Sequence, residues 1–325
     1  MPEFGLDSLK LDAEAEARRI ENGISEYLAA QKRKGLVVAM SGGVDSSVVA
    51  ALCVAAVGAE RVLGLLLPER ESSGETLRLS KLAADTFGIR SIQEDITAML
   101  EAAGCYRRRD DAIRMVYPEL NDGCAVKIVL PGLLESESLR LFSVVIRTPD
   151  GKEVKRRLTP ESYLGIVAAS NFKQRIRTMF AYYQSDRMNY AVAGTPNRLE
   201  YDQGFFVKQG DGAADIKPIA HLYKSQVYQL AGYLHIPQEI RGRPPTTDTY
   251  SLPQSQEEFF FSLPYDRMDL CLYARNHNIP ESEVAVAVGL TAEQIRKVFK
   301  DIDQKRKTTQ YLHLPPELIV EVPEV

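Results

Sequence analysis

Short apolar runs alternate with amphipathic segments along much of the chain. The runs over 36–40 and 61–68 are typical of strands buried on both faces, and further strands are predicted over 89–96 and 189–195. The intervening segments carry apolar residues near a 3.6-residue period or end at glycine, and they predict helices over 12–33, 45–57, 75–87 and 168–187. Strands and helices that alternate with short connections favour right-handed crossovers, so the pattern predicts an α/β fold with a doubly wound parallel sheet.

Two regions depart from this alternation. Apolar and polar residues alternate on both sides of Pro149-Asp150-Gly151, a pattern typical of an antiparallel hairpin. Near the C-terminus, a glycine break separates two helical segments, and Thr291 is the predicted N-cap of the second. We therefore expect a single domain over 1–325, an insertion with a hairpin over 122–160, and a helical extension over 255–325.

Composition and charge exclude several classes of partner. The net charge of −4 gives no sign of a surface for nucleic acid or membrane, and no apolar run reaches membrane-spanning length. The four cysteines have no spacing suited to zinc or to a redox pair: Cys53, Cys105, Cys124 and Cys271. These features predict a protein of a reducing compartment, the cytoplasm.

The stretch Ser41-Gly42-Gly43-Val44-Asp45-Ser46 is the main candidate for chemistry. It joins a predicted strand to a predicted helix, where unpaired amides and the helix dipole favour an anion. A bare Asp45 would repel a phosphate unless a cation lay between them, and Mg²⁺ held by carboxylates and phosphate oxygens removes that conflict. The residues alone leave two interpretations open: a phosphate loop, or a tight turn whose aspartate caps the helix.

The hexapeptide resembles the S-G-G-x-D-S signature of the PP-loop ATP pyrophosphatases. Later segments are similar to those of the NAD synthetases within that superfamily: N-x-x-x-R-x-R from Asn171, G-T-x-N-x-x-E from Gly194, K-x-G-D-G from Lys208 and P-[ST]-x-D from Pro245. These segments occur in the family's order and span most of its core. The resemblance implies an adenine nucleotide alpha hydrolase-like fold and an enzyme that uses ATP with Mg²⁺.

The resemblance also implies roles for individual residues. The implied ATP-binding set is Ser41, Gly42, Gly43, Val44, Asp45, Ser46, Ser47, Arg175, Thr195, Lys224 and Thr246, with Thr247 as the alternative to the last. The implied substrate-binding set is Asn171, Arg177, Lys208, Asp211 and Asp215, and the implied catalytic set is Asp45, Lys208 and Asp211. Asp45 and Glu200 are the implied metal ligands.

Arg175 and Arg177 cannot serve the same ligand within one subunit. Two residues apart on a helix, they diverge by about 200°. One can therefore reach a phosphate while the other meets a partner chain, which fits the homodimer that the resemblance implies.

The reaction implied by the resemblance is the amidation of nicotinic acid adenine dinucleotide to NAD. ATP converts the carboxylate to an acyl-adenylate with release of pyrophosphate, and ammonia then displaces AMP. The motifs begin near residue 41, which leaves no room before them for a glutaminase domain, so we expect free ammonia or a separate ammonia donor. The alternative is a PP-loop amide ligase that adenylates a different carboxylic acid, fed by a separate glutaminase.

Overall fold

The computed structural model describes residues 4–130, 132–133, 141–246 and 249–323. Its strands are β1 (Leu36–Ala39), β2 (Val62–Leu66), β3 (Arg90–Gln93), β4 (Ala125–Val129), β5 (Ser143–Arg147), β6 (Glu153–Arg157) and β7 (Ala191–Ala193). The first helices are α1 (Ala13–Ala30), α2 (Val44–Val57), α3 (Gly74–Thr86), α4 (Thr97–Ala102), α5 (Cys105–Arg114) and α6 (Pro160–Met188). The remaining helices are α7 (Arg198–Gln203), α8 (Lys224–Tyr233), α9 (Gln238–Arg241), α10 (Tyr265–Asn276), α11 (Glu281–Val288) and α12 (Ala292–His313).

A four-stranded parallel sheet with the order β3-β2-β1-β7 forms the centre of the fold. Leu36, Val37 and Val38 of β1 are fully buried, because the strand has a hydrophobic cluster on each face. Leu36 and Val38 pack with α1, α2 and α8, whereas Val37 packs with α6 and the segments beside it. The predicted doubly wound α/β fold is confirmed, and β1 is buried on both faces as its continuous apolar run predicts.

A second sheet, antiparallel with the order β4-β5-β6, contains the predicted hairpin. The turn between β5 and β6 is at Pro149-Asp150-Gly151, as the alternating pattern predicts. β4 was not predicted from the sequence; it pairs with β5 from Ala125↔Arg147 to Val129↔Ser143. Val126, Ile128, Val144 and Ile146 form the buried face of this sheet and pack against α5 and α6.

One helix is longer than its sequence pattern indicates, and another begins at its predicted cap. α6 begins at Pro160 rather than at residue 168, because the Thr159 side chain accepts a hydrogen bond from Ser162 N and caps it. α12 begins after Thr291, the predicted N-cap, and continues to His313. Among the described residues, none of the helices combines the length and the apolar character that crossing a bilayer requires.

Candidate active site

A cavity of about 450 Å³ opens at the carboxyl ends of the central strands. Residues that follow β1, β2 and β7 line it, together with one face of α6 and residues 243–246 and 249–250. Open parallel sheets bind ligands at this edge, because the loops that leave the strands converge there.

The turn after β1 brings backbone amides to the cavity. Gly42 has φ +70°, and a Cβ atom there would lie 2.5 Å from the Thr76 carbonyl oxygen, so the turn requires glycine. Gly43 is the N-cap of α2 and has no capping side chain. The amides of Val44, Asp45 and Ser46, in the first turn of α2, therefore lack intrahelical acceptors and are available to an anion.

The serines of this turn mainly hold its shape. The hydroxyls of Ser41 and Ser46 lie 3.1 Å apart, and the Ser46 hydroxyl lies 3.1 Å from the Gly43 carbonyl, to which it donates. Ser47 Oγ donates to the same carbonyl at 2.9 Å and is fully buried. Ser41 and Ser46 line the cavity, but Ser47 does not. We call residues 41–47 the phosphate loop.

Two carboxylates lie beside the phosphate loop. Asp45 forms an ion pair with Lys224 and accepts a hydrogen bond from Asn197 Nδ2 at 3.0 Å. Glu200 accepts hydrogen bonds from Asn197 N and from Gln256 Nε2, both at 3.1 Å. Asn197 thus connects the two acidic side chains, because it is the N-cap of α7 and Glu200 lies three residues later in the same capping box.

The electrostatics of this pair favour a cation. Burial and the neighbouring charge of Asp45 raise the pKa of the Glu200 carboxyl to about 8. Burial lowers the pKa of the Lys224 ammonium, but the charges of Asp45 and Glu200 outweigh burial and place that pKa above its ordinary value. Lys224 therefore remains charged, and the second carboxylate takes up a proton when no other cation is present.

The donor set fits a magnesium ion that is shared with phosphates. Within the described ranges, no group of three or more His, Cys, Asp or Glu side chains is arranged to enclose a metal. Asp45 and Glu200 supply two carboxylates, and Mg²⁺ is commonly held by one or two carboxylates together with substrate phosphates.

Twelve of the predicted site residues line the cavity: Ser41, Gly43, Val44, Asp45, Ser46, Asn171, Arg177, Thr195, Glu200, Asp211, Lys224 and Thr246. Gly42, Ser47, Arg175, Lys208 and Asp215 are predicted site residues that do not line it, and Thr247 is outside the described residues.

The two arginines of α6 point in different directions, as their spacing requires. Arg177 lines the cavity, and its Nε donates to the Leu67 carbonyl at 3.2 Å. Arg175 is exposed, and its Nε lies 3.4 Å from the Lys208 carbonyl.

The segment Lys208–Asp215 is only partly in the cavity. Lys208 Nζ donates to the Tyr311 carbonyl at 2.7 Å, at the end of α12. Asp211 lies at the rim of the cavity and accepts a hydrogen bond from Val207 N at 2.7 Å. Asp215 accepts one from Val192 N at 2.7 Å, so it holds the edge of β7.

Several cavity residues were not predicted from the sequence. Lys173 lies on α6 one turn before Arg177, and Arg243 donates to Thr76 Oγ1 at 2.9 Å beside Thr246. The i, i+4 spacing of Lys173 and Arg177 places both on the same helix face, and this signal could have identified Lys173. Gln256, which binds Glu200, and the aromatic residues Phe142, Phe259 and Phe260 follow no readable motif.

The fold and the site together define the class of protein. A parallel α/β sheet whose first strand leads through an S-G-G-x-D-S loop into a helix, beside two carboxylates and a lysine, is the arrangement expected of a PP-loop ATP-using enzyme. The family model described as NAD synthase matches residues 16–116 and 145–311. The chain belongs to the NAD synthase family.

Individual relatives agree with this membership. The NH(3)-dependent NAD(+) synthetase of Rhizobium meliloti is 56% identical over 322 residues, which cover 99% of this chain and 96% of that protein. The NH(3)-dependent NAD(+) synthetase of Thermotoga maritima is 35% identical over 285 residues, which cover 87% and 94% of the two chains. The solved NH3-dependent NAD synthetase of Campylobacter jejuni, in complex with the nitrate ion, shares the fold with a TM-score of 0.63 and 22% identity, covering 96% of this chain and all of that one.

The family model leaves residues 117–144 unmatched. This stretch overlaps the predicted insertion and contains β4. Leu252 N donates to the Val126 carbonyl at 3.1 Å, and Val126 N donates to Ser251 Oγ at 2.8 Å. β4 therefore supports the segment that follows Thr249, which borders the cavity; the boundaries of the insertion stay a prediction.

Proposed function

We propose that this chain forms NAD from nicotinic acid adenine dinucleotide, ATP and ammonia, with release of AMP and pyrophosphate. The observation that carries the proposal is the convergence on one cavity of the amides that open α2 and the carboxylates of Asp45 and Glu200. Membership of the NAD synthase family agrees with it, as does the 96% coverage of a relative named for ammonia dependence.

The chemistry needs activation of a carboxylate, because its negative charge repels nucleophiles and oxide is a poor leaving group. A carboxylate oxygen attacks the α-phosphorus of ATP, the bond from that phosphorus to the bridging oxygen breaks, and pyrophosphate departs. Ammonia then attacks the acyl carbon, the carbon–oxygen bond to AMP breaks, and the nitrogen loses a proton. Neither step needs a covalent bond to the protein.

The phosphate loop is the part of the site that would receive the pyrophosphate. The amides of Val44 to Ser46 are fixed by the turn at Gly42 before the reaction, so they stabilise the developing negative charge without reorganisation. The buried ammonium of Lys224 and the hydroxyl of Thr246 border the same space. Mg²⁺ held by Asp45 and Glu200 would neutralise phosphate charge there.

Arg177, Asn171 and Asp211 would bind the acid substrate, since they line the same cavity from α6 and from the loop after Val207. Lys208 and Asp215 would act from outside the cavity as it stands, and Lys208 would have to leave the Tyr311 carbonyl to reach a ligand. All four cysteines are free, which fits a reducing compartment, and we propose the cytoplasm.

We also propose a homodimer formed through the outer face of α6. Leu164, Met179 and Tyr183 are 50–63% exposed, and with Arg175 they lie within about 100° of arc on that helix. Apolar side chains grouped in this way favour a protein partner, and a second copy would bring its own Arg175 to the same face. Light scattering after size-exclusion chromatography tests this: Met179→Lys should yield monomer, while Val286→Lys, at a 76% exposed site on α11, should not.

The function is tested by a product assay with a panel of acids. Nicotinic acid adenine dinucleotide, ATP, Mg²⁺ and ammonium should yield equal amounts of NAD, AMP and pyrophosphate. Nicotinic acid mononucleotide and simple aromatic acids should yield little pyrophosphate under the same conditions. Faster turnover of another acid would replace the proposed substrate, and the absence of pyrophosphate with every acid would remove the ligase assignment.

A further inference from the structure

A buried ionic cluster lies in the cavity wall apart from the phosphate loop. Lys173, which is 2% exposed, donates from Nζ to Glu69 Oε1 at 2.8 Å, to Glu71 Oε2 at 2.6 Å and to the Thr249 carbonyl at 2.8 Å. We call these four residues the Lys173 cluster. All three protons of the ammonium group have acceptors, so Lys173 has none left for a phosphate.

Neighbouring side chains add hydrogen bonds and a second cation to the cluster. The Tyr106 hydroxyl donates to Glu69 Oε2 at 2.6 Å. Arg109 Nη1 donates to both oxygens of Glu71 at 2.7 and 2.8 Å, and its guanidinium also pairs with Asp110. Buried ion pairs seldom add much stability over apolar packing, so the geometry that this cluster fixes explains it better than stability does.

The cluster joins three separate stretches of the cavity wall. Lys173 is on the inner face of α6, and Glu69 and Glu71 belong to the loop between β2 and α3, whose Pro68 and Ser72 line the cavity. Thr249 lies three residues after Thr246, whose hydroxyl borders the proposed phosphate space. Holding the Thr249 carbonyl therefore limits where Thr246 can lie relative to the loop after β2.

We propose that Lys173 is a positioning residue for the adenylation reaction, acting through the Thr249 carbonyl to place Thr246 against the ATP phosphates. This proposal rests on the proposed function, in which Thr246 binds ATP. Lys173 does not itself contact the substrate, and its effect on turnover comes from the geometry of the segment that it holds.

The test is a double-mutant cycle between Lys173→Met and Thr246→Val. Thr246→Val should reduce kcat/KM for ATP by about tenfold, because it removes a hydrogen bond to a charged phosphate. Lys173→Met should reduce the same constant by about tenfold as well, because a misplaced Thr246 hydroxyl no longer reaches the phosphates. In the Lys173→Met background, Thr246→Val should then reduce kcat/KM for ATP by less than about threefold, since the hydroxyl is already misplaced.

The distribution of the loss separates positioning from damage to the fold. Misplacement of Thr246 raises KM for ATP, whereas a partly unfolded enzyme loses active fraction and therefore apparent kcat at unchanged KM. Lys127→Met is the matched control, because Lys127 Nζ also donates both to a carboxylate and to a backbone carbonyl. Its acceptors are Glu258 Oε1 at 2.7 Å and the Pro253 carbonyl at 3.4 Å. Lys127 does not line the cavity, so its variant should keep KM for ATP within about twofold of the parent value.

A second variant keeps the proposal testable if Lys173→Met does not fold. Lys173→Gln combined with Glu69→Gln removes the ammonium without leaving an unpaired carboxylate, because Glu71 keeps Arg109. If Thr246→Val reduced kcat/KM for ATP by the same factor in the parent and in either Lys173 background, the proposal would be overturned. The same cycle measured on the ATP dissociation constant needs no acceptor acid, so a wrong acid substrate and a wrong role for Lys173 give different results.

Discussion

The phosphate loop and the Lys173 cluster border one cavity but form in different ways. In the phosphate loop, the hydrogen bonds of Ser41, Ser46 and Ser47 join residues no more than five apart in the chain. In the Lys173 cluster, the three bonds of the ammonium group join residues 76 to 104 apart. The phosphate loop is thus determined by a short sequence, whereas the cluster exists only after α6, the loop after β2 and the Thr249 segment have packed together.

The comparison predicts that Asp45 is the most sensitive residue, because it belongs to the phosphate loop and binds Lys224 and Asn197 from distant segments. Asp45→Asn should reduce kcat by about 10³-fold, since the variant would lose a proposed metal ligand and leave the Lys224 ammonium without its partner. Steady-state pyrophosphate release is the measurement. Asp85→Asn, at an exposed site on α3, is the control, and a loss of less than tenfold at Asp45 would contradict the assignment.

The two arginines of α6 belong to one motif but lie on different faces of the helix. Substituting each in turn tests whether the helix face determines the role of the arginine in substrate binding. Arg177→Met should reduce kcat/KM for the acid substrate by about 100-fold, because a charged group of the cavity wall is lost. Arg175→Met should change this constant by less than about threefold in the same assay, since Arg175 faces outward; its effect should fall on self-association. Equal losses of kcat/KM in the two variants would mean that the helix face does not determine which arginine binds the substrate.

Magnesium affinity should depend on pH through Glu200. In the proposed metal site, the Glu200 carboxyl must lose its proton to bind the ion. Its pKa is about 8, so the affinity for Mg²⁺ should rise about tenfold per pH unit up to pH 8 and then level off. Calorimetry in buffers of different ionisation heat measures the proton that is released on binding. Glu200→Gln should bind more weakly with no such rise, and an unchanged slope in that variant would assign the proton to another group.

The smallest expected effect separates two neighbouring glycines of the phosphate loop. Gly42→Ala should lower the free energy of unfolding by about 1–2 kcal/mol, because the left-handed backbone and the nearby Thr76 carbonyl both oppose a Cβ atom. Gly43 has φ −89°, and a Cβ there would lie 3.4 Å from Ser41 Oγ. Gly43→Ala should therefore change stability by less than about 0.5 kcal/mol in a urea titration. Similar losses of unfolding free energy in both variants would show that the backbone of the turn does not require glycine at residue 42 more than at residue 43.

Features whose determinants are local could be predicted from the sequence. The continuous apolar runs of β1 and β2, the hairpin turn at Pro149-Asp150-Gly151 and the cap at Thr291 each follow from neighbouring residues. β4 and the first eight residues of α6 were not predicted. β4 is stabilised by pairing with β5 and by a hydrogen bond to Ser251, a residue that follows α6 in the sequence. The start of α6 at Thr159-Pro160 is a local signal that was overlooked.

The sequence by itself determined the chemistry that this protein can offer: a glycine turn that must open a helix, an aspartate in its first turn, and a capping box that includes Glu200. Only the tertiary structure decided which of the other charged residues take part. It placed Lys173 and Lys224 in buried ion pairs at the cavity and left Lys208 and Arg175 outside it. The physical reason is that backbone conformation depends on adjacent residues, whereas the surroundings of a charged side chain depend on segments that are distant in the chain.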